Sequence, residues 1–293
     1  MTAAEAVMAA PVVRSAGYWR NVWRRLRRDP VAMAAGAVLL ALILMAIFAP
    51  WIAPADPYEG RMIARLRPIG HPSYPLGSDE LGRDMLSRLI HGARLSLLMG
   101  VTPVILAFVV GSALGILAGY AGGLTNTLIM RTIDVFYAFP SVLLAVALSG
   151  ALGAGLGNAL LSLTVVFVPP IARVAESVTT RLRSSDFIEA ARASGASALS
   201  IVRVHVLGNV LGPIFVYATS LISVSMILAS GLSFLGLGVR PPEPEWGLML
   251  NTLRTAIYVQ PWVAALPGVM IFLVSISFNM LSDGLRSAME VRE

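Results

Sequence analysis

The 293-residue chain has no cysteine and no lysine; all 22 of its basic residues are arginine. Without cysteine there is no disulfide, thiolate metal site or thiol nucleophile, and the redox compartment leaves no mark. Without lysine there is no phosphate-binding G-x-x-x-x-G-K-[ST] loop, whose lysine must reach the β- and γ-phosphates, and no Schiff-base or lysine-base chemistry. The three histidines, His71, His91 and His205, are far apart and form no i, i+4 pair, which argues against a metal site. Charge of either sign is scarce as well. Only 13% of the residues are charged, against about 25% in ordinary soluble domains. None lies between Asp29 and Asp56, Arg94 and Arg131, Asp134 and Arg173, Arg203 and Arg240, or Arg254 and Asp283, so 164 residues fall in charge-free runs of 26 to 38. A spanning helix needs about 20 mostly apolar residues. The chain reads as an all-α polytopic membrane protein.

The net charge of +6 then belongs to the bilayer rather than to nucleic acid, because arginines flanking hydrophobic spans orient a protein against anionic lipid. Residues 1–30 read as a cytoplasmic N-terminal tail, with six arginines and the pair Trp19 and Trp23 forming an interfacial anchor before the first apolar run. That run, 31–52, is the first transmembrane helix; it is longer than the ~7–15-residue core of a signal peptide and has no A-x-A-like site after it. Residues 53–94 form an extracytoplasmic loop kept mostly irregular by prolines, with helical apolar spacing over 79–94. Further spans are expected at 95–119, 135–152, 156–172, 211–235 and 263–282. The third and fourth share one charge-free run and are split at the glycine-rich stretch Gly150–Asn158. The fourth is expected to end near Pro169-Pro170, and a loop follows at 237–262. Together 95–283 make a core of five transmembrane helices with a loop at 173–208, and 284–293 a cytoplasmic tail. With both termini inside, the cytoplasmic segments hold 14 arginines and the outer ones 8.

The 173–208 loop is patterned. Asp186 and Glu189 resemble a capping pair at the start of a short helix. Gly195 interrupts it, and Ser197 is placed to N-cap a second helix with apolar Leu199, Ile201, Val202, Val204 and Val206. Gly208, Gly212 and Pro213 are expected to end that helix before the fifth span. On these residues alone, the segment also reads as an ordinary surface hairpin covering the helix ends.

Glu189-Ala190-Ala191, followed four residues later by Gly195 and then an apolar stretch, resembles the EAA loop of bacterial ABC-importer permeases. Gly77 to Asp84 with Ser87 to Arg94, Arg131 to Asp134 with Ala138-Phe139-Pro140, and Phe234 to Gly238 with Glu245-Trp246-Gly247 resemble segments of the dipeptide/oligopeptide/nickel-type branch, in particular the C-type subunit of its permease pair. The resemblance covers about residues 20–290. It departs where the family usually has Leu-Pro late in the loop and this chain has Leu207-Gly208. It implies a type I (MetI-like) permease core with a cytoplasmic coupling-helix loop, in the bacterial inner membrane. It also implies partners: a second homologous permease, two cytoplasmic ATPase subunits or domains and an extracytoplasmic substrate-binding protein. ATP and Mg would sit on the ATPase, so this chain would carry no cofactor and no enzymatic activity. By the same resemblance Glu189, Ala190, Ala191 and Gly195 are the ATPase-coupling residues, Glu189 meeting a basic group and Gly195 allowing a tight turn. The cargo would be a dipeptide, an oligopeptide or a related small solute.

Other residues carry weaker signals. Asp79, Glu80, Arg83 and Asp84 could dock the second permease or the binding protein, or simply pair with one another in water. Asp134 fits a helix N-cap, Asn158 a structural position, and Trp246 an interfacial anchor. Gly111, Gly115 and Gly119 recur every four residues, as close helix packing requires. Gly195-Ala196-Ser197-Ala198 superficially resembles a serine nucleophile site, but Ser197 lies in a predicted loop, eight residues from His205. An ion-coupled secondary transporter or channel is the alternative function; it would need ionisable groups within the bilayer, and the charge-free runs offer none.

Overall fold

The computed structural model describes residues 18–289, and within them every regular element is helical. Helix α1 (Tyr18–Leu26) leads to α2 (Pro30–Ile47), whose N-cap Asp29 accepts from the backbone N–H of Val31 and Ala32 at 2.9 and 3.1 Å. Proline at the first helical position completes this start, since its missing N–H would be unpaired there anyway. Arg14 of the N-terminal anchor lies outside the described residues.

Helix α3 (Met85–Ala121) is one continuous element of 37 residues. The expected amphipathic helix over 79–94 and the expected span at 95–119 are therefore the same helix, beginning at the N-cap Asp84. At 1.5 Å per residue it is about 55 Å long, well beyond the ~30 Å hydrocarbon core, so it joins the two ends of the molecule.

The third charge-free region departs most from expectation. Instead of a polar link and one helix over 135–152, there are α4 (Gly123–Tyr137) and α5 (Ser141–Leu152), bent by 87° at the break. Pro140 supplies no N–H to the preceding turn and pushes Phe139 out of helical conformation. Counted as one broken span, the pair brings the apolar helices long enough to cross a membrane to six. Asp134 consequently lies within α4 and is not a helix N-cap.

Two helices run on where the sequence predicts a stop. α6 (Leu156–Arg183) passes through Pro169-Pro170. α8 (Ala198–Phe234) passes through Gly208, Gly212 and Pro213, with a π-helical turn at Val202–Val206. Burial explains both. Gly111, Gly115 and Gly119 of α3 face the carbonyls of Val168, Ala172 and Glu176 of α6, where an added Cβ would come within 2.9, 2.3 and 2.8 Å. Backbone is thus packed on backbone at four-residue spacing on both helices, as the glycine spacing anticipates. In α8, Val206, Val210 and Ile214 are all fully buried, so one stripe crosses the glycines and proline unbroken. The remaining longer elements are α7 (Asp186–Ala193), α9 (Trp246–Thr252) and α10 (Pro261–Met289); short turns of helix lie at Ala49–Ile52, Met62–Ala64 and Ala256–Tyr258.

Candidate functional site

The segment that resembles a coupling loop forms a hairpin of α7, a tight turn and the start of α8. Its turn is a Schellman motif: Gly195 N donates to Arg192 O at 3.0 Å and Ala196 N to Ala191 O at 3.1 Å. Gly195 has φ +80, the left-handed conformation that glycine adopts without a Cβ penalty. Open space surrounds it, so the need for glycine is one of backbone geometry. Ser197 then N-caps α8, accepting from Ser200 N at 3.3 Å, and its hydroxyl serves as a cap rather than a nucleophile. The expected Asp186–Glu189 capping pair is absent. Ser185 occupies the N-cap position without a side-chain bond, placing Asp186 and Glu189 inside the first turn, where acids favour the helix dipole.

The underside of the hairpin is fixed to the body. Ile188, Ile201 and Val206 are fully buried in the main core, and the Arg192 guanidinium lies 5.6 Å from the Tyr120 ring centroid near the end of α3. The other face is bare. Glu189 and Ala190 are exposed and Ala191 is half-buried. Beside them Phe187, Leu199 (78% exposed) and Val204 present apolar surface. The five apolar positions read on the second helix therefore divide, Leu199 and Val204 facing outward, Ile201 and Val206 facing in and Val202 half-buried between them. Such a face, held from beneath, presents apolar side chains around an acid with nothing from this chain covering them.

At the other end of α3 the segments before α3 and before α9 form a polar cap. Asp79 Oδ1 accepts from the N–H of Leu81 and of Arg83, both at 2.9 Å. Its Oδ2 meets Arg83 Nε at 2.6 Å and lies 3.3 Å from Arg88 Nε. Asp84 caps α3 through Ser87 N at 2.7 Å. Asp79, Arg83 and Asp84 are buried, and Glu80, 3.4 Å from Arg83, is the member of the group that retains partial exposure. Sequence reasoning gave no role to Arg88, which is buried and donates to Pro57 O at 2.8 Å and Pro242 O at 3.4 Å. It thereby ties together segments that lie 31 and 154 residues away along the chain.

Trp246 is no interfacial anchor: it is fully buried, with Nε1 donating to Leu89 O at 3.0 Å. Gly92 makes room for it, since a Cβ there would lie 2.9 Å from the indole. The neighbouring Glu245 caps α9 through Gly247 N and Leu248 N, both at 2.8 Å, and accepts from Ser96 Oγ at 3.1 Å. Burial raises the Glu245 carboxyl above its ordinary value despite those hydrogen bonds. Burial, reinforced by the bond to Glu243 at 2.9 Å, likewise raises the Tyr58 phenol. Asn158 is structural, as expected, donating to Leu152 O and Gly153 O at the end of α5, both at 2.9 Å. Asp134 pairs with Arg173 of α6, whose guanidinium also stands 5.1 Å from the Tyr137 ring centroid.

Comparison with known proteins places this arrangement. Residues 111–292 match the family described as binding-protein-dependent transport system inner membrane component, and residues 17–68 match the N-terminal TM domain of oligopeptide transport permease C. The chain is 40% identical to a glutathione transport system permease protein GsiD of Pectobacterium atrosepticum, over 96% of this chain and 94% of that protein. It is 41% identical to a di/tripeptide transport system permease protein DppC of Pseudomonas aeruginosa, over 92% and 91%. In fold it is similar to a chain of the MetNI methionine ABC transporter, with a TM-score of 0.57 at 22% identity, covering 70% of this chain and 97% of the other. The chain belongs to the binding-protein-dependent inner-membrane transport components, the multi-pass permeases of ABC importers, and carries the N-terminal segment of their oligopeptide permease C branch.

Proposed function

We propose that this permease works as one of two membrane subunits of an ATP-driven importer for small peptides, glutathione-like tripeptides included. The relatives named for glutathione and for di- and tripeptides support that cargo. An extracytoplasmic binding protein delivers substrate at the polar cap, and the α7–α8 hairpin engages a separate ATPase, which holds ATP and Mg. Both termini and the hairpin then face the cytoplasm, in keeping with the arginine bias of those segments. In this reading Asp79, Arg83 and Asp84 shape the cap from within, and Glu80 is the member able to touch the binding protein.

The observation that carries this reading is the hairpin itself. Its turn requires glycine at 195, its underside is locked into the core, and Glu189 and Ala190 stand free on top. Closing of the ATPase around that face would pull on α6 and α8 directly, because the same backbone continues into both spans. Glu189→Arg reverses the charge offered to the ATPase without touching buried structure. In proteoliposomes containing the full complex, this variant is expected to insert normally and to lose uptake by at least about tenfold, equivalent to roughly 1.4 kcal/mol of coupling. ATP hydrolysis in the variant would no longer respond to loaded binding protein. Unchanged uptake would remove the hairpin from the coupling path.

A further inference from the structure

The break between α4 and α5 borders a cleft of about 280 Å³ whose walls include Phe136, Tyr137 and Phe139 from the break, Pro169 and Pro170 of α6, and Tyr217 of α8. Broken helices at membrane depth are tolerated where they line a cavity rather than face lipid, and in transporters they mark the substrate's place. Three features set polar groups into or beside this largely apolar wall. Two consecutive prolines deprive the carbonyls of Val165 and Val166 of their helical donors, and Val166 lines the cleft. Two tyrosines contribute to the wall. At the side of Tyr137, Arg173 and Asp134 form an ion pair, with Arg131 at 4.0 Å from the same carboxylate.

Leu221 and Val224 of α8 belong both to this cleft and to a wider open groove of about 610 Å³ between α8 and α10. Ser220, Ser223, Ser275 and Asn279 lie along the groove, and the Ser275 hydroxyl is buried without a hydrogen-bond partner. These hydroxyls and the amide, with Asp283 and Arg286 also on the groove wall, suit a hydrogen-bonding chain, such as a peptide backbone, better than acyl tails. The smaller cleft falls just below the ~300–1,000 Å³ of a pocket that swallows a whole small ligand. It fits one side chain.

We infer that the cleft at the α4–α5 break is a substrate subsite, which receives an apolar or aromatic side chain while the peptide backbone lies along the serine-lined groove. The inference rests on the peptide reading above and adds a preference that reading does not contain. Because the chain lacks cysteine, Ser141→Cys places a single thiol in the cleft wall. In the complete complex turning over ATP with its binding protein, that thiol is expected to react with a cationic, membrane-impermeant methanethiosulfonate reagent. Added Ala-Phe should slow the reaction more than added Ala-Ala. Tyr217→Ser should lower uptake of Ala-Phe relative to Ala-Ala by on the order of tenfold, the 1.4 kcal/mol scale of a lost side-chain contact. An unreactive thiol would mean that lipid or the second permease fills the cleft, and would overturn the proposal. Equal loss of both dipeptides in Tyr217→Ser would overturn it too, reducing Tyr217 to a packing residue. Uptake of neither dipeptide by the wild-type complex would contradict the peptide reading itself.

Discussion

Glu245 and Arg88 are polar groups buried in the cap at one end of α3, and each holds that cap together in a different way. Glu245 is a helix cap that has been buried: it satisfies two backbone N–H groups, and burial still raises its carboxyl. An acid whose folded pKa is raised stabilises most below its unfolded value, and that contribution fades as pH rises through the folded one. Acidification toward the ordinary carboxylate range should therefore strengthen the cap through this group. Glu245→Gln keeps one acceptor and loses the other, at an expected cost of about 1 kcal/mol, and thermal unfolding of the variant should show a weaker gain on acidification than wild type. An identical pH profile would assign that gain elsewhere. For Arg88, replacement by Met leaves Asp79 its pair with Arg83 and its backbone donors but orphans Pro57 O, so a loss of roughly 1–3 kcal/mol is expected. Proteolysis of the 53–61 segment should quicken with it, and a rate equal to wild type would deny Arg88 its tying role. The charges of this group were visible in the sequence, but their burial was not, because it depends on carbonyls supplied from distant segments. The burial of Trp246 is hidden in the sequence for the same reason: its cavity is made by Gly92, far away along the chain.

Among the elements, the five charge-free runs, one of them divided at its glycine-rich stretch, were sufficient to locate six spans, the third as the broken α4–α5 pair, because hydrocarbon excludes ions over a fixed thickness. They could not locate helix ends, since a helix continues for as long as packing supports it. α6 crosses two prolines under the glycine seam of α3, and α8 crosses Gly208 and Pro213 on a fully buried stripe. The break at Phe139-Pro140 is the converse case: there, local proline geometry prevails. Gly195 was the legible exception within the loop, because a Schellman turn states its requirement locally. The seam offers a paired test. Gly115→Ala would set a methyl 2.3 Å from Ala172 O and force α3 and α6 apart, at an expected cost of about 1–3 kcal/mol. Gly150→Ala meets nothing within 4 Å in α5 and should be neutral or gain up to about 1 kcal/mol from helix propensity. Equal melting temperatures for the two variants would contradict the packing account of the glycine spacing.

On the scale of the molecule, α3 separates two ends of unlike character. One end is a buried polar cap stitched from distant segments. The other is a hairpin locked underneath and bare on top. Between them, a broken span and two helices that run on through proline border a cleft and an open groove. The absence of lysine rules out a P-loop on this chain, which accords with the proposal that a separate subunit hydrolyses ATP. The most direct measurement is peptide uptake into proteoliposomes, comparing this permease alone with the complete set of second permease, ATPase and binding protein. Uptake is expected with the complete set and ATP, and to vanish when the ATPase is omitted or ATP is replaced by a non-hydrolysable analogue. Uptake by this chain alone, driven by an ion gradient without ATP, would contradict the account.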